Sequence, residues 1–159
     1  MNKRAIVRKI IAKLTDDMAL SLKAARTAHE EATHEESKAE DKYDTRGLEA
    51  AYLAGGQARQ AAETEKAIAA YESLALQKFT AKDPIDLTAL VELELDDERT
   101  FYFLGPVSGG LEFTHEGKQV LVITPQAPLG QNLTGKKQGD KLKMKIGGLP
   151  VEYRVVSVK

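Results

Sequence analysis

The sequence predicts an α+β chain in two parts. An antiparallel α-helical coiled-coil hairpin is expected over residues 1–77, followed by a linker over 78–87 and a small domain on a mostly antiparallel sheet over 88–159. Two observations carry this reading. Two long stretches repeat seam residues at alternating steps of four and three, the spacing that lines one stripe of an α-helix. Beyond Pro84 that pattern gives way to short β-branched or alternating runs bounded by Gly, Pro or Asp.

The first seam is Val7, Ile11, Leu14, Met18, Ser21, Ala25, Ala28 and Ala32, and the second is Ala54, Gln57, Ala61, Thr64, Ile68, Tyr71 and Ala75. One starts large and ends in alanine; the other starts small and ends large. Antiparallel arms satisfy both gradients at once, because large side chains then face large ones at the base and small face small at the far end. Asp44-Thr45 and Gly47 supply turn chemistry, which places the fold-back at residues 37–47. Arms of about 30 residues span on the order of 45 Å at the helical rise. Gly55-Gly56 interrupts the second arm at a nominal cost of about 1 kcal/mol per glycine. A close helix crossing and a flexible tip both fit that pair.

Pro84 rules out a continued helix. The strands are expected at Thr88–Leu95, Thr100–Leu104, Gln119–Ile123, Lys141–Ile146 and Val151–Val158, with a short helix at Pro128–Leu133.

Composition narrows the function classes. The chain has no cysteine, which excludes disulfides, thiolate metal sites and thiol catalysis. No run reaches the roughly 18 apolar residues of a membrane span, and Arg8, Lys9 and Lys13 break up any signal-like core. A soluble, cytoplasmic protein is expected. Net charge is −1, but Thr27–Glu49 holds eight acids and three bases, while Thr114–Lys159 holds eight bases and three acids. The fold-back carries Glu35, Glu36, Glu40, Asp41 and Asp44. An acidic cluster at the end of a narrow rod suits insertion into a deep cavity of a partner.

The run Pro125-Gln126-Ala127-Pro128-Leu129-Gly130, then Leu133-Thr134-Gly135-Lys136, Gly139-Asp140, a basic strand and Glu152-Tyr153-Arg154-Val155-Val156 resembles the C-terminal domain of the Gre transcription elongation factors. The resemblance covers the order of both halves and implies a coiled coil followed by an FKBP-like domain. It further implies binding to bacterial RNA polymerase beside its secondary channel, with the coiled coil reaching the active site and, indirectly, the nascent RNA 3′ end; a monomer with no membrane partner is expected. Pro128, Leu129, Gly130, Gly139 and Asp140 are the implied polymerase contacts. Tip carboxylates would help hold a second Mg²⁺ in the polymerase and stimulate cleavage of backtracked RNA. The factor itself is then no enzyme and needs no cofactor of its own.

An acidic tip suits that chemistry. Mg²⁺ takes oxygen ligands, keeps several waters, and is commonly held by one or two carboxylates plus phosphate oxygens; in a two-metal site the second ion can activate the attacking water. The tip nonetheless departs from the Asp-Leu-x-Glu-Asn type sequence of the family. The corresponding stretch is Ser37-Lys38-Ala39-Glu40-Asp41, so only Glu40 carries over. The substitute for the missing first acid is open between Asp41, Glu36 and Asp44, with Glu40 and Asp41 the expected metal ligands in the polymerase complex. A non-cleaving channel regulator is the alternative function.

Plainer readings stand beside these. Asp44 suits an N-cap of the second helix, the lysines at 136, 137, 141, 143 and 145 suit simple solvation, and His29 and His34 lie about 140° apart around a helix. A stand-alone prolyl isomerase is disfavoured, because no tryptophan floors a pocket and Phe101, Phe103 and Phe113 read as core.

Overall fold

The computed structural model describes residues 1–34, 38–40 and 44–159; residues 35–37 and 41–43 lie outside the description. The chain forms two compact units, Lys9–Glu72 and a second one that joins Met1–Arg8 to Ser73–Lys159. This division differs from the expected bounds of 1–77, 78–87 and 88–159, because the first turns of the first helix group with the sheet.

The hairpin unit is built from α1 (Lys3–Thr33) beyond its first turns and from α2 (Arg46–Glu72), two long helices packed together. Every residue of the first expected seam is buried or half-buried, as is every member of the second except Ala75, which is exposed beyond the end of α2. The gradient is visible in what packs: Leu14 and Tyr71 are buried at one end, while Ala28 and Ala50 are buried at the other. Ala50 extends the second seam one step further toward the fold-back than expected. Thr64 is the polar member of the buried set, and its hydroxyl donates to the Gln60 carbonyl at 2.9 Å, so its own donor is met. At Gly55 an added Cβ would meet only the Arg59 side chain of the same helix, at 3.6 Å. Close helix crossing is therefore not what the glycine pair is for.

The sheet unit contains β1 (Leu90–Leu95), β2 (Glu98–Leu104), β3 (Glu112–His115), β4 (Lys118–Ile123), α3 (Pro128–Leu133), β5 (Lys141–Ile146) and β6 (Leu149–Val158). The strands lie in the order β3-β4-β2-β1-β6-β5. All pairings are antiparallel except β2 with β4, which run parallel with Phe101 opposite Val120. β3 was not expected. Its four residues, Glu-Phe-Thr-His, are too few for alternation to stand out, and it exists by pairing with β4.

Three two-residue loops turn the sheet back on itself: Asp96-Asp97, Glu116-Gly117 and Gly147-Gly148, each with both residues at positive φ. Positive φ at both positions gives the backbone twist that matches paired strands. Period-2 alternation then sorts the two faces. Val91, Leu93, Tyr153 and Val155 join Ile85, Leu133 and Leu142 in one apolar cluster, with Leu129 and Phe79 packed against it. The opposite face carries Leu90, Phe101, Phe103, Val120 and Val122, all buried.

The segment expected as a linker is bound into this unit. Ile85 is fully buried, its N–H donates to the Lys136 carbonyl at 2.7 Å, and its own carbonyl accepts the Gly135 N–H at 2.9 Å. Asp83 closes the turn before it, accepting from both the N–H and the hydroxyl of Thr80 at 2.7 Å. Those two bonds hold the Asp83 carboxyl below the usual carboxylate range.

Candidate functional site

The tip is framed by the ends of α1 and α2. Thr33 closes α1, its hydroxyl donating to the His29 carbonyl at 2.9 Å, and Arg46 opens α2 while reaching Glu31 of the other arm at 3.3 Å. Both partners of that pair are largely exposed, so it sets geometry more than it stabilises. Sequence reading passed over it, although opposite charges flanking a fold-back are a usable signal.

Of the four acids expected to act, two are placed. Glu40 is exposed. Asp44 is half-buried, and its carboxylate oxygens accept the Arg46 N–H at 3.2 Å and the Glu40 N–H at 3.3 Å. Asp44 thus does the work of a helix-start cap one residue early, leaving Thr45 to pair its hydroxyl with Glu49 at 2.8 Å. It also fixes the backbone from which the Glu40 side chain departs. Glu36 and Asp41 lie outside the described residues. Among the described residues no three His, Asp or Glu side chains gather as a metal site.

The second group of expected site residues lies around α3 and the loop to β5, and most of it has a structural duty. A Cβ at Gly130 would sit 2.0 Å from the Thr124 carbonyl oxygen and 3.1 Å from the Pro125 Cα, so glycine is what allows α3 to lie against the 124–125 backbone. Leu129 is half-buried against the apolar cluster. Gly139 has φ 91°, and its N–H donates to the Val155 carbonyl at 2.9 Å. Asp140 closes a turn, accepting the Lys137 N–H at 2.8 Å while its own N–H donates to the Lys137 carbonyl at 3.1 Å. Pro128, at the first position of α3 where a missing N–H costs nothing, is exposed.

The lysines divide similarly. Lys141 and Lys143 share Glu152 at 2.9 and 3.7 Å, and these bonds, Lys141's first, lower the Glu152 pKa. Lys137 and Lys145 are exposed beside them. The outward-facing part of the second group is therefore Pro128, Lys137, the Gly139-Asp140 turn and the β5 lysines.

A helical hairpin with an acidic turn, followed by a six-stranded sheet unit, is the class of architecture seen here. Residues 80–159 match the family described as transcription elongation factor GreA/GreB, C-terminal. That is half of the chain, and the chain belongs to this family of transcription elongation factors. No curated protein sequence matches it. Among solved structures, GreA factor homolog 1 (Gfh1) of Thermus thermophilus is 22% identical over 94% of each chain, with a TM-score of 0.38. Gfh1 of Thermus aquaticus is 23% identical over 95% of this chain and 92% of its own, TM-score 0.38. The elongation factor GreA/GreB of Nitrosomonas europaea is 20% identical over 60% of this chain and 78% of its own, TM-score 0.37. Family membership rests on the match over half the chain, not on these superpositions.

Proposed function

We propose that this factor binds bacterial RNA polymerase at the secondary channel, presents its hairpin tip to the active site, and stimulates cleavage of backtracked RNA with carboxylates it lends. The observation that supports this reading most is Glu40: it is exposed, its backbone N–H is held by Asp44, and it stands between two long helices at the family's acidic position. Glu40 and Asp41 would supply oxygen ligands to a Mg²⁺ that the polymerase and the RNA phosphate also hold, the coordination that Mg²⁺ favours. Asp44 positions Glu40 rather than binding metal. Docking would use the exposed Pro128, the Gly139-Asp140 turn and the lysines beside them, with a salt-sensitive contribution to association.

One observation favours the second reading, a non-cleaving channel regulator. With Asp44 engaged by two backbone N–H groups and Ser37 at the family's first acidic position, fewer carboxylates remain for a metal. Shortening both arms in register by one heptad tests what the two readings share. Folding and polymerase binding are expected to persist while the effect on transcription is lost; full activity after shortening would exclude a tip that works at depth.

A further inference from the structure

Lys3, the first residue of α1, has its ammonium between separate segments of the sheet unit. Its Nζ donates to the Gln77 carbonyl, to the Thr88 carbonyl at 3.1 Å and to the Lys159 backbone oxygen at 3.0 Å. An ammonium has three N–H donors, and here each has a backbone acceptor. The same Nζ lies 4.8 Å from the centre of the Phe79 ring, within range of a cation–π attraction. Burial lowers the Lys3 pKa from its ordinary value.

The segments that meet there are not otherwise relaxed. Thr88 is buried and held at φ 72°, a conformation that costs a β-branched residue on the order of 1–3 kcal/mol. Its hydroxyl accepts the Gln77 N–H at 3.0 Å and its N–H donates to the Leu104 carbonyl at 2.8 Å, so the strained residue is fixed from every side, with Lys3 on its carbonyl. On the helix side, the Asn2 side chain accepts the Arg4 N–H at 2.9 Å and the Asn2 carbonyl accepts the Ala5 N–H at 3.0 Å. The start of α1 is thus capped by Asn2 and tied by Lys3 to the chain after α2, to the approach to β1 and to the end of β6. From Lys3 the helix runs unbroken to Thr33.

We infer that Lys3 is a positioning residue: its ammonium seats the first turn of α1 in the sheet unit, and the action of the hairpin on its partner depends on that seat. The functional half of this inference rests on the reading under Proposed function; the structural half does not. An uncharged side chain of similar length would leave three backbone oxygens without their donor; the part-buried one at Thr88 loses most, because water can replace the donor at the exposed Gln77 and Lys159 oxygens.

The test uses the full chain as wild type, Lys3→Met and Lys3→Arg. Amide hydrogen exchange reads the seat directly. Lys3→Met is expected to speed exchange over Ala5–Arg8 and at Gln77 and Thr88 by about tenfold or more, the order of one charge-assisted hydrogen bond in an opening equilibrium. Exchange over Ala50–Ala70 should stay at the wild-type rate, and Lys3→Arg, which keeps the charge, should recover part of the protection. With polymerase, Lys3→Met should keep wild-type affinity yet give a smaller effect on transcription at saturating factor, again partly restored by Lys3→Arg. Wild-type exchange in Lys3→Met overturns the seat, and failure of Lys3→Arg to recover protection overturns its assignment to charge. Normal polymerase effect despite lost protection overturns the positioning role. A wild-type chain with no effect on transcription would instead remove the proposed function and leave the exchange arm to decide the seat.

Discussion

The hairpin tip and the α3–β5 region both drew attention as short motifs in turns, and they differ in what the fold asks of them. Around α3, Gly130 is needed for backbone contact, Leu129 fills the core, and Gly139-Asp140 closes the turn into β5. At the tip, Asp44 holds the turn, but the exposed Glu40 side chain has no evident part in folding. A motif whose residues have fold duties identifies a family whether or not it also marks a contact surface. An acid free of such duty is the better candidate for chemistry.

The contrast can be broken with the same substitution in two helices and one turn. Gly130→Ala should be the most damaging single change, costing about 3 kcal/mol, because the added Cβ meets backbone at 2.0 Å. Gly139→Ala, strained by its positive φ with open space around it, should cost about 1 kcal/mol. Denaturant unfolding of the full chain reads both. In α2, by contrast, Gly55→Ala has only a side-chain neighbour at 3.6 Å and should stabilise by roughly 1 kcal/mol through helix propensity. A loss there would mean the glycine pair is required by packing after all.

A smaller effect separates fold charges from tip charges. Glu94 accepts from Arg154 and from Arg99, and these bonds, Arg154's first, hold its carboxyl below the ordinary value of 4.5. A folded pKa below the unfolded one gives stability that is present above the unfolded value and is lost as pH falls through the folded value. Glu94→Gln should therefore lower stability at neutral pH and narrow its difference from wild type as the pH drops below 4.5. An unchanged difference would show that the arginine pairing contributes nothing to the titration.

Much of this architecture was legible in the sequence. The two seams and their opposed size gradients gave the hairpin, and Gly, Pro and Asp boundaries gave five strands and α3 nearly in place. The misses have physical causes. β3 is too short to show alternation and depends on its β4 partner. The supposed linker is fixed by long-range bonds from Ile85 to Gly135 and Lys136, which local composition does not reveal. Nothing in the sequence singles out Lys3, because the three backbone oxygens that converge on it do so only after folding. The Pro128-Leu129 pair, offered by the resemblance as a contact, proves to be half core, so Pro128 alone is the cleaner probe of docking.

The central claim is that the tip lends carboxylates to the polymerase site, and transcript cleavage by stalled elongation complexes at saturating factor tests it most directly. The wild-type chain should raise cleavage above the polymerase's intrinsic rate. Glu40→Ala and Asp41→Ala should each lower that stimulation without changing polymerase affinity, and rising Mg²⁺ should partly restore it, since lost ligands weaken metal occupancy first. Alanine at Glu35 should do much less. A wild-type chain that binds polymerase yet gives no cleavage above the intrinsic rate at any Mg²⁺ concentration would contradict the claim and leave the non-cleaving regulator in its place.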